Sequence, residues 1–356
     1  MSVIKIAMAA RCEAAGRPNN EDNFHLHDNL SGNQWGFMTD KEVTLNEKGA
    51  LMVVCDGMGG MNAGDTASRL AVEAIKEWFA TDRLTPTIFA SHETVMSYIE
   101  QAIIGADSKI KEAEKDNNAL EGMGSTIVLA WVIGDYIYIG WCGDSRAYRY
   151  NPATGLEQLS HDHSYVQDLV DSGKLSKELA FDHPNNNIVT RSLGDIRQVA
   201  EPSVKCFPNG NGDVILLCSD GLSGVLRDPE IANIIQNNSQ TMESCRNALW
   251  TESEKAGWTD NVTIALCQII SGVEQPKSDF ELPATGINPA KTETEVIEKI
   301  MNGNRTEPVK KKNNRLLLII ILLLLLGAAF EAGHYIVKKR IWNPLDMIEQ
   351  VMPGKK

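Results

Sequence analysis

Ser125-Thr-Ile-Val-Leu-Ala-Trp-Val-Ile133 and Tyr136-Ile-Tyr-Ile-Gly-Trp141 are two β-branched and aromatic runs joined by Gly134-Asp135 alone. A two-residue Gly-containing link between such runs predicts a tight antiparallel hairpin. A second pair, Arg146 to Tyr150 and Leu156 to Leu159, flanks Asn151-Pro-Ala-Thr-Gly155, and Val3 to Ala10 reads as a first strand. Between these strand groups, Ala67, Leu70, Ala71, Ala74, Ile75, Trp78 and Phe79 recur at helical spacing. Val95, Ile99, Ala102, Ile103, Ala106 and Ile110 do the same, which predicts two consecutive amphipathic helices. Hairpins on both sides of paired helices argue for layered packing and against a doubly wound parallel sheet.

Three other apolar runs each end in an aspartate: Leu51 to Asp56-Gly57, Val214 to Asp220-Gly221, and Gly257-Trp-Thr-Asp260-Asn261. Taken singly, Asp-Gly after a strand is explained well enough as a turn, because Asp bonds its own backbone and Gly accepts positive φ. Recurrence changes the argument. Asn20-Glu21-Asp22 lies just after Arg17, and Cys142-Gly-Asp144-Ser-Arg146 closes another apolar run. Turns do not require five acidic clusters at strand ends. A carboxylate beyond a buried strand is costly unless something positive meets it, and several such ends can converge on a cation.

Arg17-Pro-Asn-Asn-Glu-Asp22, Asp56-Gly-Met-Gly-Gly60, Gly122-Met-Gly-Ser-Thr126, Gly143-Asp-Ser-Arg146, Ser219-Asp-Gly-Leu222 and Asp260-Asn-Val-Thr263 follow one another along the chain. In that order they resemble the successive motifs of the metal-dependent Ser/Thr protein phosphatases of type 2C, in particular the bacterial branch, over roughly Ile4 to Ile270. The resemblance implies an α+β fold, a four-layer α/β/β/α sandwich of two antiparallel sheets with metals at one end. It implies two ions, Mn2+ or Mg2+, with Asp56 bridging them, the Gly57 carbonyl completing one shell, and Asp220 and Asp260 holding the other. Asp144 with Asp220 resembles a third, weaker site. Glu21 and Asp22 would orient metal-bound waters, and a dimetal-bound hydroxide would attack phosphorus in line with the departing Ser or Thr oxygen. Arg17 matches the family arginine that grips phosphate, for which a planar fork suits better than a lysine. The plainer explanation of Arg17 is a surface salt bridge with Glu21 or Asp22.

Composition is consistent with this. The chain has 356 residues, 43% of them hydrophobic, and a formal net charge of −13, which disfavours a nucleic-acid partner held on a basic surface. Seven cysteines include no Cys-x-x-Cys pair, and Cys55, Cys142, Cys218 and Cys267 lie in or at the end of apolar runs. They read as reduced core residues of a cytosolic domain. His161-Asp162-His163-Ser164 and His183-Pro184 invite a zinc reading, but no second His or Cys pair completes such a site and clustered His and Asp are common in loops. Ser164 to Ser172 and Ser176 to Ala180 look like short helices, in a stretch that the family uses as a mobile flap.

Two positions depart from the family pattern. Met58 stands where many eukaryotic members have a histidine proposed as general acid, and Gly224 where another acidic residue often follows the Asp-Gly, which weakens the third metal site. Ser31 to Lys48 is longer than expected ahead of the Asp56 strand. After the catalytic region, 1–271, residues 272–312 read as a flexible linker rich in Pro, Thr, Lys and Glu. Leu316 to Phe330 is an uncharged run about 22 Å long as a helix. Continued through Val337 it reaches the roughly 30 Å of a bilayer core, with Glu331 towards one interface. Residues 313–338 are therefore expected to form a single transmembrane helix, and 339–356 a short tail. The flanking Lys and Arg are nearly balanced, so orientation follows from function: a cytoplasmic catalytic domain acting on phosphorylated proteins that are substrates of a Ser/Thr kinase, with no nucleic acid. A pseudophosphatase would have lost ligands, and Asp56, Asp220 and Asp260 are all present; a phosphodiesterase or nuclease would want a basic groove.

Overall fold

The computed structural model describes residues 3–32, 35–60 and 63–273. The linker, the expected span at 313–338 and the tail lie outside them; among the described residues no helix is long and apolar enough to cross a membrane. Strands β1 (Lys5–Glu13), β2 (Asp22–His27), β3 (Val43–Thr44) and β4 (Ala50–Met58) precede helices α1 (Ala63–Trp78) and α2 (His92–Asp116). β5 (Gly124–Ser125), β6 (Ile127–Ile133), β7 (Tyr136–Cys142), β8 (Arg146–Asn151) and β9 (Gly155–Gln158) follow, then short helices α3 (Tyr165–Asp171) and α4 (Lys177–Ala180). The described part closes with β10 (Ser203–Pro208), β11 (Val214–Cys218), α5 (Asp220–Ser223), α6 (Asp228–Asn238), α7 (Met242–Ala256) and β12 (Val262–Ser271).

Two antiparallel sheets result, with strand orders β3-β1-β12-β11-β8-β9 and β10-β7-β6-β4-β2, β5 joining the second through β4. The hairpin expected at Gly134-Asp135 is present, with Ile133 opposite Tyr136 and Gly134 at φ +53°. The central strands β6 and β11 are apolar at every position because both of their faces are buried. Along β6, Ile127, Leu129 and Trp131 face α1 and α2, whereas Val128, Ala130 and Val132 face the other sheet. In β11, Val214, Leu216 and Cys218 pack under α6 and α7, and Ile215 and Leu217 point between the sheets. Period-two alternation thus feeds three apolar layers, and helix, sheet, sheet and helix stack as four.

The predicted helices form with the expected buried faces. α2 starts at a capping box in which the Ser91 hydroxyl accepts from the Thr94 amide and the Thr94 hydroxyl from the Ser91 amide. Ser164 and Ser176 cap α3 and α4 in the same N-terminal manner. The stretch Ser31 to Lys48, longer than expected, helps fasten one edge of the fold: Val43 pairs with Ile6, and the Asp40 carboxylate accepts from the Met242 and Glu243 amides that begin α7. The catalytic fold also runs on past 271, since Val273 is buried and exchanges two hydrogen bonds with the Asn211 side chain.

Candidate metal centre

The apolar layer between the two sheets ends in carboxylates, and strand periodicity is the reason. On β2, Phe24 and Leu26 face that layer, so Asp22 does too; on β4, Met52 and Val54 bring Asp56 to the same face. From the opposite sheet, the alternation of Ile215 and Leu217 extends to Ser219, and that of Cys267 and Ala265 to Thr263 and Asn261. Asp22 and Asp56 are in register across β2 and β4. Asp220 opens α5 with one residue between it and β11, Asp260 lies two residues before β12, and Asp144 lies in the turn between β7 and β8.

Arg17, Glu21, Asp56, Gly57, Asp144, Asp220 and Asp260 line one cavity of about 410 Å³, together with Met58, Thr126 and Asn261. A wider groove of about 740 Å³ shares Arg17, Asp144, Asp220 and Asp260 and continues beneath α3 and α4 to Arg227 and Asp228. Asp22 is the one expected site residue that does not line the cavity. It is buried between the sheets, where its Oδ2 accepts from the hydroxyls of Ser219 (2.6 Å) and Thr263 (2.7 Å). Its Oδ2 is thus engaged by the two hydroxyls, while Oδ1 has no hydrogen-bond partner.

Backbone geometry holds Asp56. Its amide donates to Thr126 Oγ1 (3.1 Å), while its carbonyl accepts from the Thr126 amide (2.8 Å) and the Ser125 hydroxyl (3.1 Å). Gly57 must be glycine, because a Cβ there would stand 2.1 Å from the Gly64 carbonyl oxygen and 2.6 Å from that of Glu21.

Arg17 bonds neither Glu21 nor Asp22. Its Nη2 pairs with Asp260 Oδ2 at 2.8 Å and its Nε donates to the Thr259 carbonyl at 3.0 Å. Asp260 Oδ1 accepts the Asn261 amide. Among the described residues no three His, Cys, Asp or Glu side chains stand ready as a ligand group.

Burial and mutual repulsion act on the remaining carboxylates. Desolvation, then the neighbouring Asp22 and Asp220, hold the Asp56 carboxyl well above the usual carboxylate range. Asp144 is raised by the same two causes, burial and then Asp220. Asp22 is pushed up to about 7, burial outweighing its two hydroxyl donors. Oδ1 of Asp22 and Oδ1 of Asp220 are buried without a hydrogen-bond partner. A concentration of desolvated, part-orphaned carboxylate oxygens is the condition that a bound cation relieves. The cavity lining offers carboxylate and carbonyl oxygens and no His or Cys, a hard donor set that fits Mg2+ or Mn2+.

The histidine cluster disperses. His161 pairs with Asp171, Asp162 takes a bidentate grip from Arg146, and His163 Nδ1 accepts the Gly143 amide while Nε2 faces Ser203 Oγ. These three residues share no ligand position. Residues 164–189 form a closed excursion beside the cavity, with Ser164 bridged to Val189 and the Tyr165 amide bonded to the Ile188 carbonyl. Ser219, Thr263 and Asn261 carried no assigned role in the sequence, although extending the strand alternation beyond the last apolar residue reaches Ser219 and Thr263 in one step and Asn261 in two.

A protein-family model described as Protein phosphatase 2C matches residues 37–257. The serine/threonine phosphatase stp of Listeria monocytogenes is 32% identical over 219 residues, covering 61% of this chain and 84% of that one. Among solved structures, the serine/threonine phosphatase of S. agalactiae superposes with a TM-score of 0.63 at 27% identity, covering 74% of this chain and 99% of that one. The catalytic domain of the phosphatase PstP in complex with two manganese ions matches with a TM-score of 0.60 at 26% identity, covering 75% and 100%. The chain belongs to the protein phosphatase 2C family.

Proposed function

We propose that this chain, a serine/threonine protein phosphatase by family, removes phosphate from phosphoserine and phosphothreonine in proteins with the help of two divalent ions. The observation that carries the metal-dependent reading is the convergence of Asp56, Asp220 and Asp260 on one cavity that Arg17 also lines. Asp56, the Gly57 carbonyl, Asp220 and Asp260 would hold the ions, with Asp144 and Asp220 offering a third position. Mn2+ is supported by the PstP relative, and the oxygen donor set suits Mg2+ equally. When bound, such ions activate the attacking water and neutralise charge on the phosphoryl oxygens.

The chain's own groups supply the rest. Arg17, exposed on the cavity wall and anchored through Nε to the Thr259 carbonyl, presents a planar donor fork suited to phosphate oxygens. Binding phosphate there would exchange the Asp260 carboxylate for a substrate oxyanion and free Asp260 as a ligand. Glu21, whose carboxyl burial pushes up, lies at the rim to orient water. Asp22, Ser219 and Thr263 brace the site from behind. The groove under α3 and α4 leaves room for the peptide around the phosphorylated residue.

A phosphopeptide assay tests the reading directly: phosphate release should require Mn2+ or Mg2+, stop on chelation and return when metal is restored. Turnover undiminished by chelation would refute metal dependence, and phosphopeptide binding without turnover at any metal concentration would mark a binding protein instead.

Membrane tethering through residues 313–338, with the catalytic domain in the cytoplasm and kinase-phosphorylated proteins as substrates, is part of the same proposal. Its support is the uncharged run Leu316 to Phe330 and the seven cysteines, all free. Full-length protein should stay with membranes through carbonate extraction; recovery in the soluble fraction would remove the tether.

A further inference from the structure

Asn261 is buried at 5% exposure on the wall of the metal cavity, and every hydrogen-bonding group of its side chain is engaged. Its Oδ1 accepts the Glu21 amide at 2.8 Å. Its Nδ2 donates to the Ala14 carbonyl at 2.9 Å and the Asn19 carbonyl at 2.7 Å. One carboxamide therefore holds both ends of the loop that carries Arg17 and Glu21. The backbone of Asn261 serves the other half of the site, its amide donating to Asp260 Oδ1 at 2.9 Å. Its carbonyl lies against Gly221 so closely that a Cβ there would come within 1.9 Å of it, which fixes the approach of Asp220's helix. Segments that start far apart in sequence, 14–21, 220–221 and 260, thus meet on a single residue.

We propose that Asn261 is a positioning residue that sets Arg17 and Glu21 against Asp260 and Asp220, so that the phosphate-gripping and ion-holding groups keep one spacing. The inference rests on the phosphatase reading above. No other side-chain type of this size offers an acceptor and two donors together; aspartate keeps the acceptor and loses both donors, and alanine loses all three. The loop from Ala14 to Asn20 contains no regular structure, so its order depends on such side-chain bonds and on Gly16 donating to the Asp260 carbonyl at 3.1 Å.

Two measurements on the full-length protein test this. The first is a double-mutant cycle of Asn261→Ala with Arg17→Ala, reading kcat and KM for a phosphopeptide at saturating Mn2+. Asn261→Ala should raise KM and lower kcat/KM by on the order of ten-fold, and in the Arg17→Ala background the KM increase should vanish. The same KM factor in both backgrounds would show that Asn261 acts through general stability and would overturn the proposal. Asn261→Asp, which preserves volume and the bond to the Glu21 amide, should raise KM as well; an unchanged KM would also overturn it, even if Asn261→Ala fails to fold. The second measurement is hydrogen–deuterium exchange, which needs no activity. The peptide spanning residues 14–22 should lose protection in Asn261→Ala while the β12 peptide keeps it, and equal protection of residues 14–22 in both proteins would refute the positioning role. A wild-type protein that hydrolyses no phosphopeptide would instead overturn the phosphatase reading, leaving the exchange result to judge Asn261.

Discussion

Asp22 and Asp56 stand directly opposite each other on neighbouring antiparallel strands, two carboxylates paired where like charges repel. Burial and the neighbouring acids raise both carboxyls, so ionising the pair costs the metal-free fold stability. Asp22→Asn keeps the volume and an acceptor for Ser219 and Thr263 and, above the pKa of about 7 to which burial raises Asp22, removes one buried charge that Asp220 and Asp260 repel. With about 1 kcal/mol of repulsion relieved, the melting temperature in chelator should rise by about 2–4 °C, and the Mn2+ needed for half-maximal activity should increase. Thermal melts with and without chelator, together with a Mn2+ titration, check both; a lower melting point with an unchanged Mn2+ requirement would contradict the argument.

Asp56→Asn, Asp220→Asn and Asp260→Asn should each cut phosphopeptide turnover by on the order of 10²-fold or more, as expected when a charge-stabilising group leaves a preorganised site. Asp260→Asn has a second effect, because it also releases Arg17 from its ion pair. KM should therefore shift in Asp260→Asn more than in Asp56→Asn. Near-native rates in all three variants would exclude a shared ion cluster.

Gly221→Ala should be among the most damaging small substitutions in the domain. The added Cβ would lie 1.9 Å from the Asn261 carbonyl oxygen, and overpacking of that kind typically costs about 1–3 kcal/mol. At Gly60 a Cβ meets nothing within 4 Å, so Gly60→Ala serves as the control. Melting curves of the two variants should separate clearly, and equal stability would show that the close contact is relaxed in solution.

Burial holds His25 and His163 near a pKa of about 4, well below the ordinary histidine value. In the unfolded chain both titrate near about 6.5. Between roughly pH 6.5 and 4 the unfolded chain therefore binds protons that the folded one refuses, and stability falls as the pH drops through that window. Above pH 6.5 the two groups contribute no slope. Melting temperatures from pH 7.5 to 4.5 should decline more steeply in wild type than in a His25→Gln, His163→Asn double variant, and identical slopes would rule these histidines out.

Met58 lines the cavity but has no proton to give. An alkoxide leaves phosphoserine poorly without one, whereas nitrophenolate leaves readily, so a lost acid would show chiefly on the first substrate. Met58→Ala should leave the ratio of phosphoserine to nitrophenyl phosphate rates nearly unchanged, and a large loss confined to phosphoserine would contradict this.

The two hairpins, the helices at α1 and α2 and the acidic strand ends were legible in the sequence because their signals are local: a period of two, a period of 3.6, or a charged residue after an apolar run. β10 was not legible. Ser203 to Pro208 is a half-buried edge strand of mixed polarity, with neither clean alternation nor a continuous apolar run. α6 and α7 were missed because the only buried apolar residues on them are Ile231, Ile234 and Ile235, and Met242, Cys245, Leu249 and Trp250, and polar residues separate these short stripes. Asp22 was recognised as a site residue without its depth; its neighbours Phe24 and Leu26 face the inter-sheet layer, and that parity places it inside. The Arg17–Asp260 pair joins residues 243 apart, and no local pattern announces it.

β12 begins beside Asp260 and Asn261 and runs ten residues to Ser271, a length of about 33 Å at some 3.3 Å per residue. Whatever continues past Val273 is thus attached at the pole remote from the reactive end. β12 is also an interior strand, bonded to β1 along nearly its whole length and to β11 on its other side. Its ladder bonds run perpendicular to the strand, so tension applied to the C-terminal end loads many of them in shear at once and cannot peel them one by one. Mechanically, a pull on that strand is shared by two ladders.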